Sequence, residues 1–206
     1  DWSSDVCSSD LIDKSDRVYV GASPDGKVYQ LEGNGKAREF FDPAKLDAKT
    51  KYIWSMAFGA DGTLYVGTGD RGKIFRVDAS GKGDVYFETN QTHVMTLLTR
   101  TAGSGAELLA GTEPNGLLYE ITAANKATVI YDSPLSEIHQ LAPGADGSIY
   151  VATLGQSTGA RQRQATPAPA ASGGHSAGQP ASVRAGCPGH RGRPARQQHR
   201  PALDQA

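Results

Sequence analysis

Six side chains in the middle of this chain are of types that bind polar ligands: the phenol of Tyr52, the imidazole of His93, the carboxylates of Asp70, Glu113 and Glu137, and the guanidinium of Arg71. Gathered at one mouth, they supply hydrogen-bond donors, acceptors and an imidazole that can be either. Scattered over loops, the same six are ordinary solvated residues. No catalytic residue is assigned, because the sequence has no H-E-x-x-H, G-x-S-x-G, C-x-x-C or EF-hand loop. Gly67-Thr68-Gly69-Asp70-Arg71-Gly72 matches G-x-G-x-x-G. A dinucleotide site needs a helix next, however, and residues 73–78 (KIFRVD) read as a strand. Cys187, His175, His190 and His199 lack the spacing of zinc ligands. No metal and no cofactor is therefore expected.

Charge divides the 206 residues unevenly. Residues 12–155 hold 14 Lys+Arg against 18 Asp+Glu, whereas residues 156–206 hold 7 Arg against 1 Asp. The acidic middle argues against a nucleic-acid partner, and the basic run GHRGRPARQQHR has no interleaved aromatics on which bases could stack. No run approaches the roughly 18 apolar residues of a membrane span.

The six candidates sit on a repeat. Residues 18–31 (VYVGASPDGKVYQL), 64–77 (LYVGTGDRGKIFRV) and 108–121 (LLAGTEPNGLLYEI) align without gaps, and residues 149–155 (IYVATLG) begin a fourth copy. Tyr19, Tyr65, Leu109 and Tyr150 are separated by 46, 44 and 41 residues. Each full repeat carries four β signals. In the second they are residues 51–58, 63–68, 73–78 and 84–89, punctuated by the Gly and Asp-Gly pairs that tight hairpins require. Apolar residues on both faces, as at Ile53, Trp54, Met56 and Phe58, call for packing on both sides. Four antiparallel strands per 41–46 residues is one propeller blade. The expected fold is therefore all-β: a partial β-propeller of about three four-stranded blades plus the start of a fourth, over residues 12–155. A helical turn is expected only near residues 42–49.

The motif Asp61-Gly62-Thr63-Leu64-Tyr65-Val66-Gly67-Thr68, with Gly72 five residues after Gly67, resembles bacterial propeller repeats of the NHL/YVTN type. It is also similar to the sensor propellers of two-component regulators, which usually carry Trp where Tyr65 stands. The resemblance implies a WD40-like or NHL-like architecture and leans towards an exported bacterial protein. It leaves function open among binding, sensing and catalysis.

Both ends differ from the middle. Residues 1–11 (DWSSDVCSSDL) resemble an in-frame translation of a sequencing adapter and are expected to be a non-native leader without periodic structure. Residues 156–206 are Ala/Pro/Arg/Gly-rich and are expected to be a disordered tail, either frameshifted or a linker.

Repeat equivalence places Tyr52, His93 and Glu137 at one position in successive blades. The turns at Asp70-Arg71 and Glu113 then share their rim. The expected function is binding: a rim presented to a protein or a small ligand. A sensor propeller or part of a propeller enzyme are the alternatives. For the tail, the repeat itself supplies a test. If the frame slips near Gly155, another forward frame of the same DNA encodes an apolar strand within about ten codons; stop codons or no β pattern in both alternative frames would establish the tail as native.

Overall fold

The computed structural model describes residues 6–23, 25–102 and 105–157. Residues 1–5 of the expected leader and the expected tail beyond Ser157 lie outside the described residues. What is described is all-β, with one 3-10 turn and no helix long and apolar enough to cross a membrane. Three four-stranded antiparallel meanders follow one another. The first sheet contains β1 (Val6–Ile12), β2 (Val18–Ser23), β3 (Val28–Leu31) and β4 (Ala37–Phe41). The second contains β5 (Ile53–Phe58), β6 (Leu64–Thr68), β7 (Lys73–Val77) and β8 (Gly83–Glu88). The third contains β9 (His93–Ala102), β10 (Gly105–Glu113), β11 (Leu117–Ala123) and β12 (Lys126–Asp132). A two-stranded sheet of β13 (Leu135–Pro143) and β14 (Ile149–Ser157) ends the described chain. These are three propeller blades and the first half of a fourth. The expected helical turn is Pro43–Lys45, where the Asp42 side chain accepts from the Ala44 amide (3.0 Å).

One departure lies at the start. The Ser/Asp-rich segment expected as a structureless leader supplies β1 from Val6, in register with β2 from Val6↔Ser23 to Ile12↔Val18. Antiparallel pairing is carried by backbone N–H and C=O groups, which a polar sequence presents as well as an apolar one. β14 likewise continues two residues beyond the expected boundary at Gly155.

The blades bury their faces against one another, and the core divides accordingly. Tyr19, Val28 and Phe41 of the first sheet meet Ile53, Leu64, Val66 and Phe75 of the second. Ile74 and Tyr86 of the second meet Val94, Leu108 and Ile121 of the third. Leu109 and Leu118 of the third meet Ile138 and Leu141 of the fourth. Ile74 and Phe75 are neighbours in sequence and fully buried in different clusters, because successive strand side chains point to opposite faces.

The repeated glycine pair makes this packing possible. A Cβ on Gly21, Gly67 or Gly111 would come within 2.7, 2.8 or 2.5 Å of Ile53, Val94 or Ile138 respectively, the β-branched residue on the next blade's innermost strand. Gly26, Gly72 and Gly116, five residues later, press at positive φ against the backbone of Lys51, Gln91 and Leu135, where the chain enters the next blade. The Thr of the Gly-Thr step closes the intervening turn: Thr68 Oγ1 donates to Lys73 O and Thr112 Oγ1 to Leu117 O, both at 2.9 Å.

Two measurements test this account. Overpacking at Gly67 through Gly67→Ala is expected to cost about 1–3 kcal/mol and lower Tm by roughly 3–10 °C. Gly33→Ala, where nothing lies within 4 Å of the added carbon, should leave the melt unchanged. Equal melts would remove the close-approach explanation. The second measurement concerns the uncovered face of the fourth sheet. Tyr150 stands where Tyr19 and Leu109 are 2% and 0% exposed, yet it is itself 66% exposed, with Leu154 beside it at 47%. Apolar faces of this kind drive association. Sedimentation at micromolar concentration should show oligomers that Tyr150→Ser with Leu154→Ser reduces, and a monomer from the unsubstituted chain would contradict this.

Candidate functional site

The same registers fix where the candidate residues stand. Ser55 pairs with Gly67, Thr96 with Gly111, and Gln140 with Ala152. Counting back three residues, Tyr52, His93 and Glu137 occupy one equivalent position, as the repeat implies. Between each of these pairs and the next lies a register shift, which puts Trp54, Met95 and His139 in a β-bulge on the innermost strand of successive blades. The first blade repeats it at Ser8. Bulges re-aim side chains at the rims of sheets, and here one recurs at the same level of every blade.

At the junction of the second and third blades the bulge builds a cluster. The Trp54 indole N–H donates to His93 Nδ1 (3.1 Å), and the Asp70 backbone N–H points at the same nitrogen from 3.4 Å. Indole N–H is a donor only, so Nδ1 is the accepting nitrogen and the neutral ring carries its proton on Nε2. Tyr52 stacks on Trp54 with centroids 5.8 Å apart, and the Trp54 and His93 rings meet edge to face at 5.7 Å. Gly69 admits this approach: its N–H donates to Tyr52 O (2.9 Å), and a Cβ there would collide with the Trp54 indole nitrogen. Asp70, exposed and at φ 63°, follows at the turn. Glu113 joins through its carbonyl, which accepts from the Thr92 amide at 3.0 Å.

Two of the six candidates are engaged elsewhere. Arg71 leans towards Asp47, its Nε 3.9 Å from the carboxylate, and Lys73 Nζ bridges Asp47 (2.9 Å) and Glu88 (3.1 Å). The hydrogen bond from Lys73 holds the Asp47 carboxyl below the usual range and raises Lys73 in return. This network ties the crossover between the first two blades to the outer strands of the second. Glu137 pairs with His139 Nδ1 (2.7 Å). With a carboxylate as acceptor, Nδ1 carries the proton and Nε2 of the neutral ring is free to accept one. The two imidazoles thus present opposite functions: a donor at His93 and an acceptor at His139. Among the described residues no group of His, Cys, Asp and Glu has the arrangement of a metal site.

Repeat equivalence in the sequence did not bring Trp54 or His139 into the site. The bulge position was the missing signal, since it re-aims side chains that simple alternation assigns to a face.

No family model and no curated protein matches the chain. Solved structures do. The chain is similar to virginiamycin B lyase from Staphylococcus aureus (18% identity, TM-score 0.57, covering 70% of this chain and 47% of the lyase). It is also similar to the extracellular domain of a hybrid two-component system from Bacteroides thetaiotaomicron (18%, 0.60, 72% and 20%). A third match is a protein of unknown function from Bacteroides caccae (17%, 0.52, 73% and 54%). The chain therefore spans about half the length of the lyase and about a fifth of that extracellular domain. At these identities the likeness is one of fold, and the class it defines is the β-propeller.

Proposed function

We propose that this chain is the ligand-binding part of a propeller module, and that the rim formed by Tyr52, Trp54, His93 and the Asp70 turn contacts the ligand. The observation that carries this is the Trp54–His93 hydrogen bond under a stacked Tyr52. It fixes a half-buried aromatic platform beside an oriented Nε2–H donor, a combination suited to a small polar molecule with one apolar face, or to such a group on a protein. Asp70 gives the rim an acceptor for the ligand's hydroxyl or amine groups.

The pairing of Glu137 with His139 favours a second reading, in which the module does acid–base chemistry. A carboxylate on Nδ1 orients the ring and stabilises its cation, leaving Nε2 as a base. The sensing alternative draws only on likeness of fold to the extracellular domain of a two-component system.

Trp2 and Trp54 are the two tryptophans, so Trp2→Phe leaves Trp54 as the reporter. Screening that chain against a panel of oligosaccharides and short peptides should give a compound that shifts Trp54 emission. His93→Gln should then weaken its binding by about ten-fold with the melt unchanged, as expected for one lost hydrogen bond to a buried or charged partner. A compound that binds equally well to Trp54→Phe and His93→Gln would place the ligand away from this rim. Emission unmoved by every compound would leave the binding reading without support.

A further inference from the structure

At the opposite end of the blades the first and second sheets part around a cavity of about 430 Å³. Its walls come from three turns: residues 13–17 between β1 and β2, residues 59–63 between β5 and β6, and Asp78-Ala79 after β7. Its floor is aromatic. Tyr19 meets Phe40 edge-on at 4.9 Å and Phe58 edge-on at 5.3 Å.

The next pair of blades shows why this space is open. The registers Phe58↔Leu64 and Leu108↔Thr99 make Phe58 and Thr99 equivalent. Between the second and third blades Thr99 Oγ1 donates to Phe58 O (2.8 Å), drawing the two sheets together. Between the first and second blades the same position is Phe58, which has no hydroxyl to make that link. The aromatic pair below is otherwise repeated: Tyr19–Phe40 in the first blade corresponds to Tyr65–Tyr86 at 5.2 Å in the second. Lys14 reaches over from one blade to the other here, its ammonium donating to Ala60 O at 3.0 Å.

Charge at the mouth is biased. Asp13, Asp61 and Asp78 line it, against Lys14 and Arg17. Arg17 is bound to Asp13 at 2.6 Å, while Lys14 keeps its charge on the neutral Ala60 carbonyl, so the lining carries one net negative charge; Arg76, itself paired with Asp84, and Lys82 act on Asp61 and Asp78 from outside the lining. The backbone N–H of Thr63 holds Asp61, and the Ser80 hydroxyl holds Asp78, below the ordinary carboxylate range, so both are charged at neutral pH. Two carboxylates over an aromatic box favour an organic cation and disfavour an anion. The volume suits a small molecule rather than a peptide strand.

We infer that this interblade cavity binds a small aromatic cation, its ring against the partly buried Phe58, which rests on the buried Tyr19 and Phe40, and its ammonium towards Asp61 and Asp78. The site is independent of the rim proposed above and lies at the other end of the same blades.

Tryptamine and indole-3-propionate carry one ring with opposite charges, and saturation-transfer NMR of each with the full chain reads binding whatever the oligomeric state. Tryptamine should bind about ten-fold more tightly than the propionate, and Asp61→Asn with Asp78→Asn should erase most of that difference. Asn retains the Oδ1 that accepts from Thr63 and Ser80, so the turns survive. Phe58→Thr, which restores the missing interblade hydroxyl, should abolish tryptamine binding. Equal affinity for the two compounds, no binding of either, or tryptamine binding unaffected by the double Asp substitution would each overturn the inference. So would tryptamine binding that Trp54→Phe removes, since that places the ligand at the opposite rim.

Discussion

The close approach of each blade's innermost strand to the glycine pair of the blade before it governs this structure. Ile53, Val94 and Ile138 are fully buried because the backbone opposite them carries no side chain at Gly21, Gly67 and Gly111. Burying such a side chain is worth about 1.5–3 kcal/mol, and a methyl group on the glycine would drive the sheets apart and forfeit much of it. The second glycine of each pair meets the crossover chain in the same way, so both ends of the contact are fixed. Stability in such an array is a sum of blade and interface terms, and here each interface has its own buried cluster.

This constraint also decides where variation is allowed. The packed positions repeat in kind: Ile, Val and Ile opposite the glycines, and Thr at the turn in the second and third blades. The positions just before and after the packed β-branched residue lie at the rim and do not repeat in kind. They are Tyr52, His93 and Glu137 before it, and Trp54, Met95 and His139 in the bulge. A rigid frame with free positions at one level is how a repeat fold builds a site. The opposite end obeys the same logic. There Thr99 closes one interblade notch, while Phe58 at the equivalent place leaves the neighbouring one open.

Most of the frame was legible in the sequence because its rules are local. Asp-Gly steps, alternating β-branched residues and a 41–46-residue spacing each point to the same blade, and agreement between such signals is what specifies a fold. β1 was illegible for the opposite reason: its Ser/Asp-rich middle has no alternating pattern, and its pairing with β2 and the packing of Leu11 on the first core cluster are long-range. The site was legible in part. Repeat equivalence brought Tyr52, His93 and Glu137 to one position, but it could not supply Trp54 as the partner of His93. That contact crosses from one blade to the next and depends on the bulge, which appears only in the register. Arg71 stands 3.9 Å from Asp47, a residue of the crossover that carries no repeat signal.

The fourth repeat breaks the glycine rule within the described residues. Ala152 pairs with Gln140 as Gly67 pairs with Ser55 and Gly111 with Thr96. It therefore presents a methyl group where the three preceding blades present none. On the geometry of the other three, that methyl would stand within about 3 Å of a β-branched residue entering from a neighbour, closer than carbon atoms pack. A further blade seated on this face would have to offer Ala or Gly there, or stand further off. Gly155, at φ 95° with Ser136 beside it, lies in a register shift of β14 against β13. The repeat thus encodes its neighbour's shape one blade in advance, and Ala152 limits how closely any sheet can pack on the face that carries the exposed Tyr150.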